Sequence, residues 1–225
     1  MDDVIYIRAQ SKGGGLTSIA IGGVALILGT MVLSWLPVEL RLMGIFIICG
    51  GLVAILIGWF KLREPDHSLH LSRQEMRYHH RHGQWYLHWD NIQRFDVPSV
   101  YVDLQHHPLA VVGIRVKSYE PVLETMSPRL MNNIMTEQRS LLLQAIKEQM
   151  KTQNDYNDHL LEDDRYTSES GKLYTGLQAM FANRMTKLRE TLGYDLFINV
   201  AELDRSTEEF VQLLRECKNK VAQED

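Results

Sequence analysis

Two long segments without a charged residue constrain this chain more than any other feature of its sequence. They cover residues 16–36 and 42–60, which are 21 and 19 residues long, and about 20 apolar residues in a helix cross a hydrocarbon core of about 30 Å. Only the five residues Pro37–Arg41 separate them, so they predict a transmembrane helical hairpin. A signal peptide is the alternative for the first segment, but its apolar run is too long and no small-residue cleavage site follows it.

The charges beside these segments predict how the hairpin is oriented. Arg8, Lys12, Lys61 and Arg63 lie near its two outer ends, whereas the connecting turn carries only Arg41. Cytoplasmic flanks carry the excess of lysine and arginine in membrane proteins. We therefore expect both outer ends, and the soluble domain that follows the hairpin, to lie in the cytoplasm.

Small residues recur along one face of each apolar segment and predict where the two helices pack. These faces carry Gly22 and Gly29 in the first segment and Gly50, Ala54 and Gly58 in the second. Small side chains let helix backbones approach closely, so we expect these residues to close the hairpin. A homo-oligomer that uses the second face, or both faces, is the alternative. Neither segment contains an ionisable residue, which argues against a proton relay or a transport site.

After the hairpin, apolar residues alternate with polar residues, a pattern that is typical of half-buried strands. Trp85, Leu87 and Trp89 are the clearest example. We predict an antiparallel β-meander over residues 67–118, in which the stretch His106–Pro108 forms a turn.

Helical patterns replace this alternation in the second half of the chain. Residues 119–194 predict a helical insertion, in which Ser127 caps a helix that starts at Pro128. Residues 151–171 within it contain six acidic residues, and we interpret them as an exposed linker, with a recognition segment as the alternative. Residues 195–221 predict a last strand and a C-terminal amphipathic helix.

The C-terminal helix carries two further signals. Ser206 and Glu209 form an S-x-x-E capping box at its start. Cys217 lies on its apolar face and is predicted to be a core residue rather than a reactive thiol. The other cysteine, Cys49, lies inside the second apolar segment, so the two cannot form a plausible structural disulfide.

The stretch MRYHHRHGQWYLHWDNI, residues 76–92, predicts a β-hairpin with His82–Gly83 as its two-residue turn, because glycine adopts the positive φ that such turns require. In this register Met76 faces Trp89, and the apolar side chains share one face. The outward-facing histidines and the arginines then lie on or beside the opposite face.

This basic surface is the principal candidate site for contact with a membrane or a partner. It comprises Arg73, Arg77, His79, Arg81 and His88. Each cation near an anionic leaflet contributes about 1 kcal/mol, and histidines with a pKa of about 6.5 would add charge as the pH falls. A solvated strand face is the alternative. A metal site is disfavoured, since the neighbours are arginines and zinc requires three or four suitable ligands.

The sequence contains none of the common catalytic motifs: there is no P-loop, nucleophile elbow, H-E-x-x-H or C-x-x-C. Asp90 lies near His88, but a carboxylate at a strand end more commonly bonds backbone donors. We therefore predict that the protein is not an enzyme, and we expect no cofactor, no metal and no nucleic-acid partner.

A glycine turn followed by a W-x-L-x-W-x-x-I pattern resembles the pleckstrin-homology-like roll of membrane-attached bacterial proteins. Gly83, Trp85, Leu87, Trp89 and Ile92 carry this resemblance. With the apolar hairpin and the stretches EQRSLLL and LDRSTEEFVQLL, the chain resembles a family of uncharacterised two-span inner-membrane proteins of gammaproteobacteria.

The resemblance implies an α+β fold: a two-helix transmembrane hairpin, then a pleckstrin-homology-like antiparallel β roll with a helical insertion and a C-terminal amphipathic helix. It also implies a multi-pass protein of the bacterial inner membrane, with residues 1–15 as a cytoplasmic N-terminal segment. We interpret the soluble domain as a non-enzymatic interaction or scaffolding module that contacts the membrane or an unidentified protein. A pH- or metal-responsive sensor that uses the histidine-rich sheet is the alternative.

Overall fold

The two apolar segments form two long helices, α1 (Gly15–Trp35) and α2 (Arg41–Leu62). The structure, a computed structural model, describes residues 4–8, 14–35, 37, 41–63, 67–102, 105–143 and 162–224. The chain divides into two compact units. Residues 9–66 form the helical unit, while residues 1–8 and 67–225 together form the α+β unit. The predicted α+β class, with two apolar helices, antiparallel sheets and a C-terminal helix, is confirmed.

Glycines that recur every seven residues bring α1 and α2 into close contact. The buried glycines of these helices are Gly15, Gly22 and Gly29 on α1 and Gly44, Gly51 and Gly58 on α2. A methyl group on Gly22 would lie 2.7 Å from the carbonyl oxygen of Gly51, and one on Gly58 would lie 2.6 Å from that of Gly15. Both distances are far below van der Waals contact, so only glycine allows the backbones to approach this closely.

The contact between the helices differs in spacing from the predicted one. Gly22, Gly29 and Gly58 lie at the contact as expected, and Ala54 is half-buried. Gly50 is exposed, with open space where a side chain would begin. The difference arises because nearly antiparallel helices return to the same face after two turns, which is seven residues, whereas a four-residue repeat drifts off that face.

The remaining surface of the helical unit is apolar. Both helices are long and apolar enough to span a membrane, and most of their residues are not buried within the chain. Leu16, Trp35 and Phe46 are exposed by 73%, 82% and 73%. Monomeric soluble proteins rarely expose an apolar surface of this extent.

A four-stranded antiparallel sheet, which we call sheet 1, begins the α+β unit. Its strands, in sheet order, are β1 (Ile5–Ile7), β2 (Leu69–Leu71), β3 (Glu75–His80) and β4 (Gly83–His88). Strand β1 lies in the segment of residues 1–15, where no strand was predicted. It pairs with β2 through Ile5 and Leu71, so the chain leaves this sheet before α1 and returns to it after α2.

A second sheet, sheet 2, contains three antiparallel strands in the order β11-β8-β5. They are β5 (Ile92–Asp96), β8 (Val111–Val116) and β11 (Leu196–Asn199). Between them in sequence, β6 (Ser99–Val102) and β7 (Gln105–Pro108) pair with each other and with no other strand of the described residues.

The strands of residues 67–118 therefore belong to three sheets rather than to one meander. His106–Pro108, the predicted turn, lies in β7 instead, where His107 pairs with Val100. Pro108 ends that strand, since proline has no N–H to continue a ladder. The chain then crosses to sheet 2, where β8 pairs with β5 on one side and β11 on the other.

The predicted insertion contains strands as well as helices. Its described elements are α3 (Glu120–Thr125), α4 (Pro128–Glu137), β9 (Arg165–Thr167), β10 (Leu173–Thr175) and α5 (Leu177–Leu192); the last helix, α6 (Thr207–Glu224), follows β11. Residues 151–161 of the predicted acidic linker lie outside the described residues.

Most of residues 162–171 are exposed, but the segment is folded rather than a linker. The Glu162 side chain is 2% exposed and its Oε1 lies 2.5 Å from Nε of Arg184 on α5, while β9 and β10 form a hairpin. The composition of this segment did not indicate the ion pair, because the cationic partner lies elsewhere in the sequence. An acidic residue is seldom fully buried unless it has such a partner.

The predicted helix starts are confirmed. The Oγ of Ser127 accepts a hydrogen bond from the backbone N–H of Leu130 at 3.3 Å. At α6, the Glu209 N–H donates to the Ser206 Oγ and the Ser206 N–H donates to the Glu209 carboxylate, both at 3.2 Å. These exchanges satisfy donors that the first helical turn cannot pair internally.

The hairpin turn is one residue earlier than predicted. His80 pairs with Gly83, so Arg81 and His82 form the turn, and Met76 pairs with Leu87 instead of Trp89. The inner and outer faces are still as predicted, because moving a two-residue turn by one position shifts the pairing by two residues.

Glycine is required at position 83 because of a close contact with α4, and not because position 83 lies in the turn. Gly83 has a φ of +148° at the start of β4, and a methyl group there would lie 2.4 Å from the Oγ of Ser127. That hydroxyl donates to the backbone oxygen of His82 at 2.9 Å. The glycine therefore allows the N-terminus of α4 to lie against the hairpin.

A buried carboxylate connects sheet 2 to the insertion. Asp195, which is fully buried, accepts hydrogen bonds from the Val116 N–H at 2.8 Å and the Tyr119 hydroxyl at 2.9 Å. Arg189 on α5 binds it through two nitrogens, at 2.5 and 2.7 Å, and also donates to the Val116 carbonyl. The hydrogen bonds from Arg189 to Asp195 raise the pKa of the guanidinium.

Gly22→Ala should destabilise the helix pair by about 1–3 kcal/mol, because the added methyl group forces two backbones apart. Gly50→Ala is the matched control and should leave the stability of the pair unchanged or slightly raised, since that position has open space. Chemical unfolding of both variants in the same detergent measures the difference. Equal stability of the two variants would contradict the glycine contact.

Asp195→Asn should lower the free energy of unfolding by about 3 kcal/mol, because it leaves the partly buried Arg189 without its counter-ion. Asp204→Asn removes a half-buried pair, in which Asp204 Oδ1 lies 2.7 Å from Nε of Arg205, and should cost less than about 1 kcal/mol. Urea unfolding of the two variants, monitored by circular dichroism, provides the comparison. A cost for Asp195→Asn no larger than for Asp204→Asn would contradict the role of the buried carboxylate.

Candidate functional site

Aromatic rings and histidines cover the outer surface of sheet 1. Strand alternation places Tyr6, His70 and Arg77 side by side across β1, β2 and β3. His70 lies between two more histidines, with ring centroids 4.4 Å from His79 and 5.7 Å from His67, and Tyr6 lies 4.6 Å from His70. We call these five residues the histidine face.

Burial and neighbouring charge lower the pKa of two histidines of this face, His70 and His79, so both stay neutral to a lower pH than usual. The pKa of His70 is lowered first by burial and then by His79, His67 and Arg77. The pKa of His79 is lowered by burial, then by Arg77 and His67. Nε2 of His79 is buried and has no hydrogen-bond partner among the described residues. The cluster therefore gains like charges close together when it is protonated.

The predicted basic surface is only partly assembled. Arg77, His79 and His88 lie on the outer face of sheet 1, but Arg73 and Arg81 lie in the turns at opposite ends of β3, which a strand of this length separates by about 20 Å. These five positions thus form an elongated strip rather than a compact cluster.

Two arginines of this strip already have local partners. Arg77 forms an ion pair with Glu75 at 2.5 Å and lies over the ring of Tyr86 at 5.8 Å. Arg81 donates from Nε to the His82 Nε2 at 3.1 Å. Across the described ranges, no group of three or more histidine, cysteine, aspartate or glutamate side chains is arranged to hold a metal ion.

A cavity of about 210 Å³ lies elsewhere in the α+β unit, between the inner side of sheet 1, sheet 2 and the end of α4. We call it the acidic pocket. Its lining residues come from six separate segments and are Tyr78, Trp85, Leu109, Ala110, Val111, Ile134, Glu137, Gln138, Ser140, Leu141, Phe197, Asn199 and Glu202. No lysine, arginine or histidine is among these lining residues.

A short hydrogen bond defines one wall of the acidic pocket. The Tyr78 hydroxyl donates to Oε1 of Glu202 at 2.6 Å, and the Tyr78 ring stacks on Trp85 with centroids 5.2 Å apart. Burial, Glu202 and Glu137 together raise the pKa of Tyr78 well above its ordinary value. The phenol therefore stays neutral and donates to Glu202, while Oε1 of Glu137 accepts a hydrogen bond from the Asn133 side chain at 2.6 Å.

Sequence patterns revealed only part of these features. They identified His79 and Arg77 but not Tyr6, His67 or His70, which reach the histidine face from the chain segments on either side of the helical unit. The run Val4–Ile7, short and β-branched, was the available signal for a strand there. The acidic pocket left no signal, since its residues are brought together only by tertiary packing.

Comparison with known proteins gives one match. The family model described as "Protein of unknown function (DUF2982)" matches residues 69–220. This range begins with β2 and ends within α6, and it therefore covers most of the α+β unit and neither apolar helix. No curated protein and no solved structure matches the chain.

The histidine face should make folding stability depend on pH. Because the pKa values of His70 and His79 are lowered in the folded chain, the unfolded chain binds more protons below about pH 6.5. The free energy of unfolding should therefore fall as the pH drops below that value, and level off once the folded histidines are protonated as well. Chemical unfolding at pH values from about 7.5 to 5 measures this.

The double variant His70→Gln, His79→Gln should lose most of this dependence. His88→Gln is the control, because His88 is exposed on the same face at the far end of β4, and it should retain the dependence. An unchanged pH profile in the double variant would exclude the cluster as its source.

Proposed function

This chain belongs to the family described as "Protein of unknown function (DUF2982)", and we propose that it is a membrane-anchored interaction module without enzymatic activity. The observation that carries the proposal is the apolar outer surface of the helical unit. Its two helices pair through glycines and leave bulky apolar side chains exposed along their length. Such helices satisfy their own backbone hydrogen bonds and favour a hydrocarbon surrounding.

Both ends of the helical unit continue into the α+β unit, since β1 precedes α1 and β2 follows α2. This connection supports a hairpin whose two ends lie on one side of the membrane. The flanking cations favour the cytoplasmic side, and the resemblance to two-span proteins of gammaproteobacteria favours the bacterial inner membrane.

The arrangement of the sheets supports a pleckstrin-homology-like roll. Sheet 1 has four antiparallel strands, sheet 2 has three, and α6 follows the last strand. In this interpretation β1 is the first strand of the roll, the helical hairpin is inserted between β1 and β2, and residues 119–194 are inserted before β11.

The histidine face is the surface that we propose for a protein partner. Tyr6 is 52% exposed and the neighbouring histidine rings are half-buried, and amphipathic aromatic groups are enriched in protein interfaces. A membrane surface is a weaker candidate, because Arg77 is paired with Glu75 and Arg73 and Arg81 lie far apart. Gly50, with open space beside α2, is where a second copy would pack if the protein forms a homo-oligomer.

The three clustered histidines favour a pH-responsive sensor as the second candidate function. Acidification would place like charges on His70 and His79, whose ring centroids lie 4.4 Å apart, and this would alter the surface that a partner meets.

A photo-crosslinking amino acid at Tyr6 should form a specific adduct with a protein in intact bacterial membranes. Leu173 is the matched control, because it is similarly exposed, at 61% against 52% for Tyr6, and lies on the separate β9–β10 hairpin. A protein adduct at Tyr6 alone supports the proposal. Lipid adducts alone, or equal protein adducts at both positions, would contradict the histidine face as the partner surface.

The same membranes test the anchor and its orientation. The chain should resist alkaline extraction, and protease should degrade the α+β unit in inverted vesicles but not in right-side-out vesicles. Extraction with alkali would contradict the anchor, and degradation only in right-side-out vesicles would contradict the cytoplasmic orientation.

A further inference from the structure

We propose that the acidic pocket binds a small primary amine, that is, an ammonium group on a short unbranched aliphatic stem. The proposal goes beyond the anchoring and partner contact proposed above, because the pocket shares no residue with the histidine face or with the helical unit.

The size and walls of the pocket suit such a stem. Its volume is about 210 Å³, and an apolar cavity of about 150 Å³ is large enough to hold benzene. Leu109, Ile134, Leu141 and Phe197 supply apolar walls. A chain of four or five methylene groups would replace water along these walls, and each buried methylene contributes about 0.8 kcal/mol in water-to-apolar transfer.

The polar groups of the pocket select the charge of the ligand. Glu137 and Glu202 both line it, and burial together with these two carboxylates raises the pKa of the Tyr78 hydroxyl. No cationic side chain is present among its lining residues. A carboxylate or phosphate ligand would meet two like charges here, whereas an ammonium group would meet two opposite ones.

Tyr78 and Trp85 extend the apolar part of the lining. Their rings stack on each other with an interplanar angle of 21°, so they offer a ligand mainly apolar contact.

The acceptor groups distinguish a primary amine from a quaternary one. Gln138, Ser140 and Asn199 line the pocket together with the two carboxylates, so its polar part is rich in oxygen acceptors. A primary ammonium group offers three N–H donors, and hydrogen bonds from a charged donor to a carboxylate are among the strongest that proteins form. A tetraalkylammonium ion has no donor and cannot form these bonds.

Calorimetric titration of the full chain in a non-ionic detergent tests this directly. n-Pentylamine should bind with a dissociation constant of about 1 mM or lower. 1-Pentanol, pentanoate and tetraethylammonium should each bind at least about tenfold more weakly, since each lacks either the charge or the N–H donors. Comparable binding of pentylamine and pentanol, or no binding of pentylamine at about 10 mM, would overturn the proposal.

Variants of the two carboxylates distinguish binding of the amine in the pocket from its partition into detergent micelles. Glu137→Gln and Glu202→Gln should each weaken pentylamine about tenfold to a hundredfold, because the glutamine keeps the shape and an oxygen acceptor for Tyr78 but removes the charge. Glu190→Gln, an exposed change on α5 outside the pocket, should leave binding unchanged. The indole resonance of Trp85 should shift on titration and should keep its unliganded position in both pocket variants. Equal binding by all three variants would overturn the proposal, and so would a Trp85 resonance that does not respond.

Discussion

The buried carboxylate of Asp195 joins more elements of the α+β unit than any other contact described above. Asp195 directly precedes β11, and it accepts hydrogen bonds from the end of β8, from the residue before α3 and from α5. Burying an ion pair costs several kcal/mol unless each lone pair finds a donor, and here four donors surround one carboxylate. These bonds join sheet 2 to α5 and to the start of α3. On α5, Arg184 also donates to the backbone oxygen of Met135 on α4 at 3.3 Å, and α4 supplies part of the lining of the acidic pocket.

Local signals in the sequence predicted the parts of this fold that depend on local physics. The uncharged runs predicted two helices whose observed ends, Gly15–Trp35 and Arg41–Leu62, differ from the predicted ones by one or two residues. The caps at Ser127 and Ser206 were predictable because each joins a side chain to a backbone group three residues away. Alternation correctly assigned the two faces of the β3–β4 hairpin. The predicted turn was one residue too late, because Gly83 was predicted to be a turn residue. Its missing side chain instead makes room for Ser127 of the α4 N-terminus.

The parts that sequence reasoning missed all depend on pairing between distant residues. Alternation shows that a strand is half-buried but does not say which strand lies beside it, so one meander was predicted where three sheets form. The histidine face was predicted only in part. His79 belongs to the predicted hairpin, but Tyr6 and His70 come from two strands that the long helices separate in sequence. The acidic residues of the insertion gave no indication that Glu162 would be buried against Arg184. The pocket could not be predicted for the same reason, since the residues that line it share no sequence pattern.

The pairing of β1 with β2 makes the order of synthesis part of the folding problem. Ile7 pairs with Leu69 and is fully buried, so the core of the α+β unit is incomplete until a loop of about 60 residues has closed, which is a slow and entropically costly step. If that loop crosses the membrane twice, as proposed, β1 must wait on the cytoplasmic side until both helices have been inserted. A chain in which only one helix crosses would have β1 and β2 on opposite sides of the bilayer. Such a chain would expose the unpaired edge of β2 and part of its core, and it would be more susceptible to proteolysis. Only a correctly inserted chain can complete sheet 1.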